Sequence, residues 1–264
     1  MIKKTLSLLF LSFLFSASAI SATNNTINVA VAANFKATLQ ALQPAFEKQS
    51  GHRMNIISSG TGHLSHQILN GAPFDIFLAA NTQHPKMVFE KLNSKRKLSS
   101  HALQAYAHGR LALYISKDTP SHNLTTMLSG DVFSKLALAN KKLAPYGLAA
   151  EQTLQHLKLT KKWQGKLIRG QNVAQVFQFV HTKNVDAGFV AYSMVKTLDP
   201  ALFIEVPLHF HHPIEQMALR LNHKETSLDF MTFLSSPHAQ NIISQQGYDL
   251  PIATAPSNSS RALH

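Results

Sequence analysis

The chain of 264 residues has no cysteine, a single tryptophan and only 13 acidic residues. The absence of cysteine excludes disulfide bonds and cysteine nucleophiles, so the fold must rest on its apolar core. The 45% of residues that are hydrophobic can supply one at this length. Lysine and arginine, 25 in number, far outweigh the acids and give a formal net charge of +12. This imbalance is compatible with attracting a small anion.

The first 22 residues have the pattern of a secretory signal peptide. Lys3 and Lys4 form a positive start, residues 6–15 are apolar but too few to span a bilayer, and residues 17–19 are small. No later stretch is apolar enough to cross a membrane, so we expect a soluble, exported mature chain. Export argues against a nucleic-acid partner, and export without cysteine favours a bacterial periplasm.

The run VAVAANFK at residues 29–36 reads as a buried strand that stops at small residues and enters a helix. Asn34 stands where that helix should begin, and asparagine is a preferred N-cap residue. The free N–H groups of a helix start can hold an anion. The same pattern also fits an ordinary strand-to-helix turn with no ligand.

A second strand-to-helix turn follows at SSGTG, residues 58–62. Ser59 and Thr61 offer hydroxyl groups, and Gly60 allows the backbone to approach a ligand closely. A simple hydroxyl cap without ligand is the alternative. A phosphate-binding P-loop is excluded because no Gly-Lys-Ser/Thr follows.

The remaining pattern predicts two α/β sheets with further turns of this kind. Residues 82–108 look helical and basic, residues 145–147 place Tyr146 at a helix start, and Val173 begins another helix after a strand. The strand VDAGFVA at residues 185–191 is followed by Tyr192. Residues 253–264 are polar, and we expect them to be a disordered tail.

Five runs of the sequence resemble the periplasmic molybdate-binding proteins of ABC uptake systems. They are VAVAANF, SSGTGHLSHQILNGAPFDIFLAA, APYGLAAEQTL, QNVAQVF and DAGFVAYS. The resemblance extends from about residue 27 to residue 251. It implies a type II solute-binding fold, with two α/β lobes around a cleft and two crossover strands. We expect lobe I to comprise residues 23–107 and 203–252, and lobe II residues 108–202.

The resemblance also implies the ligand contacts. The oxyanion-binding residues that it implies are Ala33, Asn34, Thr61, Tyr146 and Val173. A second, lower-ranked set is Ser59, Gly60, Ala191 and Tyr192. The implied ligand is molybdate or tungstate, with no cofactor, and the implied partner is an inner-membrane ABC permease that receives the anion from a monomeric binding protein.

The chemistry of the turns is consistent with this ligand. Molybdate and tungstate are fully deprotonated dianions near neutral pH, so they accept hydrogen bonds and donate none. Helix starts that offer only N–H and O–H donors stabilise such a charge without a buried cation. Hydrogen phosphate would need an acceptor, and the candidate turns contain no Asp or Glu. Sulfate also only accepts and stays an alternative, as do other small oxyanions.

Two other classes of function fit the sequence less well. A secreted enzyme is disfavoured because there is no Gly-x-Ser-x-Gly elbow, no His-Glu-x-x-His and no paired carboxylates at strand ends. A metal-binding protein is suggested by the 15 histidines and the spacing of His209, His211 and His212. The position of this cluster before Pro213 instead predicts a surface loop of histidines that bind no metal.

Overall fold

The computed structural model describes residues 25–116 and 123–251. The predicted signal peptide and the predicted disordered tail lie outside these residues. Within them, no helix combines the length and the apolar character that a bilayer crossing requires.

Strands and helices alternate along most of the described chain. The strands are β1 (Thr26–Ala32), β2 (Arg53–Ser59), β3 (Ile76–Ala79), β4 (Leu103–Gly109), β5 (Leu111–Ile115), β6 (Leu136–Ala139), β7 (Leu167–Gly170), β8 (Ala187–Ala191), β9 (Phe203–Glu205) and β10 (Ile214–Arg220). The α-helices are α1 (Lys36–Ser50), α2 (Thr61–Leu69), α3 (Gln83–Arg96), α4 (Leu124–Ser129), α5 (Pro145–His156), α6 (Thr160–Trp163), α7 (Val173–His181), α8 (Glu225–Leu234) and α9 (Pro237–Gln245). Short 3-10 helices lie at Ala33–Phe35, Ser100–Ala102, Tyr192–Met194, Pro200–Leu202 and Leu208–Phe210.

The strands form two mixed sheets, one in each of two lobes. The first sheet has the order β2-β1-β3-β10-β4, and the second has the order β7-β6-β8-β5-β9. In each sheet the strands joined through helices run parallel, whereas β10 and β5 run antiparallel to their neighbours. The predicted two-lobed α/β fold is confirmed. The carboxyl ends of the parallel strands, where ligands bind in open α/β sheets, carry the four predicted turns.

The chain passes between the sheets twice. It leaves the first sheet at Arg110, the single residue between β4 and β5. It returns between β9, which pairs with β5, and β10, which pairs with β3 and β4. The return therefore lies after Glu205, slightly later than the expected boundary at residue 203. The expected division of the chain into lobe I and lobe II stays a prediction.

One secondary-structure prediction was wrong. The helix expected over residues 82–108 ends at Arg96, and Leu103–Gly109 is the edge strand β4. The strand has one irregularity. Gln216 and Met217 of β10 face Ala107 and Ala105, so Tyr106 is an extra residue in β4, a β-bulge.

The packing explains why the lobes hold their shape. Helix α1 buries a stripe with helical spacing, formed by Leu39, Leu42 and Phe46, against the first sheet. The core of the second lobe extends across the cleft, because Ala32 and Ala80 at the ends of β1 and β3 belong to it. The lobes are therefore in contact at the strand ends.

Candidate functional site

The first turn differs from its predicted geometry. Asn34 lies within the 3-10 helix Ala33–Phe35 and does not cap it, since the N-cap residues there are Ala32 and, for α1, Phe35, without side-chain cap bonds. The predicted N-cap role of Asn34 is therefore wrong. A 3-10 turn inserted before α1 moves the helix start past Asn34 and turns its side chain into the protein, where it is 3% exposed.

The Asn34 side chain instead holds two buried partners from distant parts of the chain. Its Nδ2 donates to Gln216 Oε1 at 2.9 Å and to Tyr248 Oη at 3.2 Å. The Tyr248 hydroxyl in turn donates to the backbone carbonyl of Asn34 at 2.8 Å, and Ser193 Oγ donates to Tyr248 Oη at 2.9 Å. Through these bonds, Gln216, Tyr248 and Ser193 fix the turn between β1 and α1.

Tyr106 completes this buried polar group. Its hydroxyl lies 2.9 Å from Gln216 Oε1 and 3.1 Å from the carbonyl oxygen of Ala79. Gln216 is fully buried, and buried polar atoms normally have hydrogen-bond partners. Sequence analysis did not identify Tyr106, Gln216 or Tyr248, because each reaches the site from a strand or loop without a motif of its own.

Two buried donors beside this group have no hydrogen-bond partner among the described residues. They are Tyr146 Oη and Gln216 Nε2. Both flank Gly109, where a side-chain Cβ would lie 2.1 Å from the Tyr146 oxygen and 3.0 Å from Gln216 Nε2. Unpaired buried donors are costly in a folded protein, so a pair of them marks a place where an acceptor is expected.

The three tyrosines of the site are neutral at physiological pH. Burial raises the pKa of Tyr106 and of Tyr146 well above the usual range, and it raises the pKa of Tyr248 to about 12. Each phenol therefore keeps its proton and can donate a hydrogen bond. The one buried carboxylate of the described residues, Asp75, precedes β3 at the opposite end of the sheet.

The second turn supplies a hydroxyl donor. Gly60 is the N-cap residue of α2 and Thr61 is its first residue, 1% exposed, while half-buried Ser59 ends β2. Thr61 Oγ1 accepts a 3.1 Å hydrogen bond from the backbone N–H of Ala80. This bond uses an oxygen lone pair, so the Thr61 hydroxyl proton is available to an acceptor in the cleft.

The second lobe brings two more helix starts. Helix α5 begins at Pro145 with Tyr146 as its second residue, and α7 begins at Val173 after Asn172, whose side chain caps it by accepting from the N–H of Gln175. The first N–H groups of both helices have no carbonyl acceptor within the helix. The positive ends of the two helix dipoles are favourable for an anion.

The helix starts meet across the cleft. The N–H of Gly62 in α2 donates to the carbonyl oxygen of Leu143, in the loop before α5, at 2.9 Å. A Cβ on Gly60 would lie 3.1 Å from that same oxygen and 3.6 Å from Asn172 Cβ. The 3-10 helix that contains Ala33 and Asn34 contacts α7. The structure thus brings together the turns that carry all five residues of the first-ranked set.

Two of the lower-ranked residues, Ala191 and Tyr192, make their contacts away from these helix starts. Ala191 is buried at the end of β8. The ring of Tyr192 packs under the guanidinium of Arg110, 4.4 Å from Cζ to ring centroid, and beside Phe203. The neighbouring Ser193 makes the contact with the Asn34 turn instead. Ala191 and Tyr192 stay lower-ranked predictions.

The histidines of the cluster contact the backbone and aromatic rings. His211 is buried, and its Nδ1 lies 2.8 Å from the carbonyl oxygen of His212, while the ring of His209 faces Phe210 and His156. Across residues 25–116 and 123–251, no group of three or more His, Cys, Asp or Glu side chains is arranged to hold a metal ion. The segment serves as the return connection between the lobes.

Comparisons with known proteins agree with this architecture. The bacterial extracellular solute-binding protein family matches residues 27–249. The chain is 36% identical over 230 residues to the molybdate-binding protein ModA of Azotobacter vinelandii, covering 85% of this chain and 90% of that protein. It is 30% identical over 237 residues to ModA of Rhodobacter capsulatus, covering 87% and 90%.

A solved structure supports the same assignment. The periplasmic molybdate-binding protein of Azotobacter vinelandii superposes with a TM-score of 0.77 at 32% identity, covering 86% of this chain and all of that one. The family match spans most of the chain, and the matched relatives are covered almost in full. This chain belongs to the bacterial extracellular solute-binding protein family.

Proposed function

We propose that this protein captures molybdate, and tungstate, in the cleft between its lobes and delivers the anion to an ABC permease of the inner membrane. The observation that carries the proposal is the convergence of four turns whose donors are neutral, beside two buried donors that have no hydrogen-bond partner in the part of the chain that the structure describes. The related proteins of Azotobacter and Rhodobacter are named for molybdate binding, which supports this choice of ligand.

The charge balance of the site favours a dianion that only accepts hydrogen bonds. Thr61 offers a hydroxyl proton, Tyr146 offers a phenol proton, and the starts of α2, α5 and α7 offer backbone N–H groups. Hydrogen bonds from such donors to an ionised acceptor are stronger than neutral ones. Asp75, the one buried carboxylate of the described residues, lies at the opposite end of the sheet and cannot accept a hydrogen bond from a protonated ligand here, so hydrogen phosphate would be bound less well than molybdate.

The proposed contacts are those of Ala33, Asn34, Thr61, Tyr146 and Val173, with Gly60 and Ser59 shaping the second turn. Asn34 acts mainly through its backbone, because its side-chain amide is already bonded to Gln216 and Tyr248. We also propose that the protein is monomeric, is exported to the periplasm, and needs no cofactor.

Closure of the two lobes would complete the site. The donors lie on both lobes, and the chain passes between the lobes only at Arg110 and after Glu205. Ligand binding would therefore favour the closed arrangement through a hinge at these connections.

Calorimetry of the mature chain with molybdate, tungstate, sulfate and phosphate tests the proposal. We expect molybdate and tungstate to bind with similar affinity and phosphate to bind far more weakly. Sulfate is the closest competitor because it also only accepts, so cavity size must separate it from molybdate. Absence of molybdate binding, or tighter binding of sulfate, would overturn the proposal.

A further inference from the structure

Gln216 occupies an unusual place for a buried amide. It lies on the return strand β10, opposite the β-bulge at Tyr106, and is completely buried. Bulges redirect side chains, and this one brings the Tyr106 hydroxyl onto Gln216 Oε1. The oxygen and the nitrogen of the Gln216 amide then differ in their hydrogen bonding.

The oxygen end of the amide is fully engaged. Both Asn34 Nδ2 and Tyr106 Oη lie 2.9 Å from Gln216 Oε1. Asn34 Nδ2 can donate to this atom, and the Tyr106 hydroxyl can donate either to it or to the carbonyl oxygen of Ala79, so the amide oxygen is the assignment that pairs this end. In this orientation Nε2 lies on the other side, with no partner among the described residues.

The free Nε2 lies on the same side of Gly109 as the Tyr146 hydroxyl. A Cβ on Gly109 would lie within 3.0 Å of Nε2 and 2.1 Å of the phenol oxygen, so glycine is what allows this approach. A phenol has one proton to donate, and its oxygen accepts from its neighbours. If Nε2 supplies a hydrogen bond to that oxygen, the phenol proton must point elsewhere.

We infer that Gln216 is a positioning residue for Tyr146: both groups are unpaired among the described residues, and when the anion binds, Nε2 donates to the phenol oxygen and fixes the phenol as a donor toward the anion. This inference rests on the proposed function. It gives the site a basis for rejecting protonated oxyanions, because a phenol held in this orientation points its proton at the anion and cannot accept a hydrogen bond from hydrogen phosphate. Selectivity is thus set by a residue that need not touch the anion.

The test is a double-mutant cycle between Gln216 and Tyr146, read as the ratio of phosphate to molybdate dissociation constants. Gln216→Glu replaces the Nε2 donor by an acceptor, and Gln216→Met removes it without adding charge. We expect either change to lower the ratio about tenfold, the scale of one hydrogen bond to a charged group. In a Tyr146→Phe background the same changes should leave the ratio within about twofold.

Gln104→Met is the matched control, since it makes the same amide-to-methionine change at an exposed hydrogen bond of β4, between Gln104 Nε2 and Ser235 Oγ. It should keep the ratio close to that of the parent. Thermal unfolding identifies a variant that does not fold. If Gln216→Glu does not fold, the dissociation constants of Gln216→Met test the inference. An unchanged ratio in the folded Gln216 variants, or an equal fall in the Tyr146→Phe background, would overturn the inference. Failure of the parent to bind molybdate would instead overturn the proposed function.

Discussion

The backbone N–H of Gly62 donates a 2.9 Å hydrogen bond to the carbonyl oxygen of Leu143, and this bond joins the first turn of α2 in one lobe to the loop before α5 in the other. This bond depends on a close approach between α2 and the loop before α5. A Cβ at position 62 would lie 3.0 Å from the carbonyl oxygen of Lys142 and 3.1 Å from Leu143 Cα. Glycine at this position therefore permits the closed arrangement of the lobes.

Gly62→Ala should affect stability and ligand binding in opposite directions. Alanine is favoured over glycine inside a helix by up to about 1 kcal/mol, so the free protein should unfold at the same or a higher temperature. Closure should become harder, and molybdate affinity should fall. Thermal unfolding and calorimetry of the same preparation measure both effects. Unchanged affinity would show that the Gly62–Leu143 contact is not needed in the bound state.

Asn34→Ser should lower the free energy of unfolding by about 1–3 kcal/mol, because serine cannot reach both Gln216 Oε1 and Tyr248 Oη and leaves buried atoms unpaired. Urea denaturation measures this loss. Asn172→Ser is the matched control, since Asn172 is a true helix cap and serine caps equally well. Equal losses in the two variants would contradict the role assigned to the Asn34 side chain.

Asn34→Asp should impair molybdate binding much more than Asn34→Ser. It places a buried carboxylate beside the expected position of a dianion, where repulsion is poorly screened. Calorimetry of both variants at one ionic strength gives the comparison. If Asn34→Asp binds molybdate as tightly as the parent, the turn between β1 and α1 does not hold the anion.

Thr61→Ala should weaken molybdate binding by about ten- to a hundredfold, because it removes one hydroxyl donor to a charged ligand. It also leaves the N–H of Ala80 without its side-chain acceptor, so a modest loss of stability is expected. Thr61→Ser keeps both roles of the hydroxyl and should bind nearly as well as the parent. Titration of the two variants with molybdate separates the contribution of the Thr61 hydroxyl to binding from the contribution of its methyl group.

His211 should make the protein less stable in mild acid. Burial lowers its pKa, so the unfolded chain takes up a proton at a higher pH than the folded protein does. Stability is therefore complete above the unfolded pKa of about 6.5 and is lost as the pH falls below it. A single histidine contributes at most about 1.4 kcal/mol per pH unit to this slope.

Urea denaturation between pH 7.5 and pH 5 measures the contribution of His211. In His211→Gln the loss of stability with falling pH should be smaller than in the parent. A parent-like slope in His211→Gln would show that the unpaired Nε2 of His211 does not govern the acid response.

Local sequence determined much of this protein. The alternation of apolar runs with hydroxyl- and glycine-rich turns predicted most strands and helices, because each such element is defined by neighbours in the chain. The positions of Thr61, Tyr146 and Val173 at helix starts followed from the same pattern. The absence of acidic residues from these turns could also be read directly from the sequence, and it is consistent with a ligand that accepts hydrogen bonds.

Tertiary structure decided what the sequence pattern could not. Asn34 and Gln216 lie 182 positions apart, and the bond between them depends on β10 returning to the first sheet after a passage through the second. The 3-10 turn that removed Asn34 from its predicted cap, and the bulge that placed Tyr106 on Gln216, respond to packing between elements. Local periodicity carries no record of such distant partners, so the buried amide and phenol groups around the site appear only when the chain is folded.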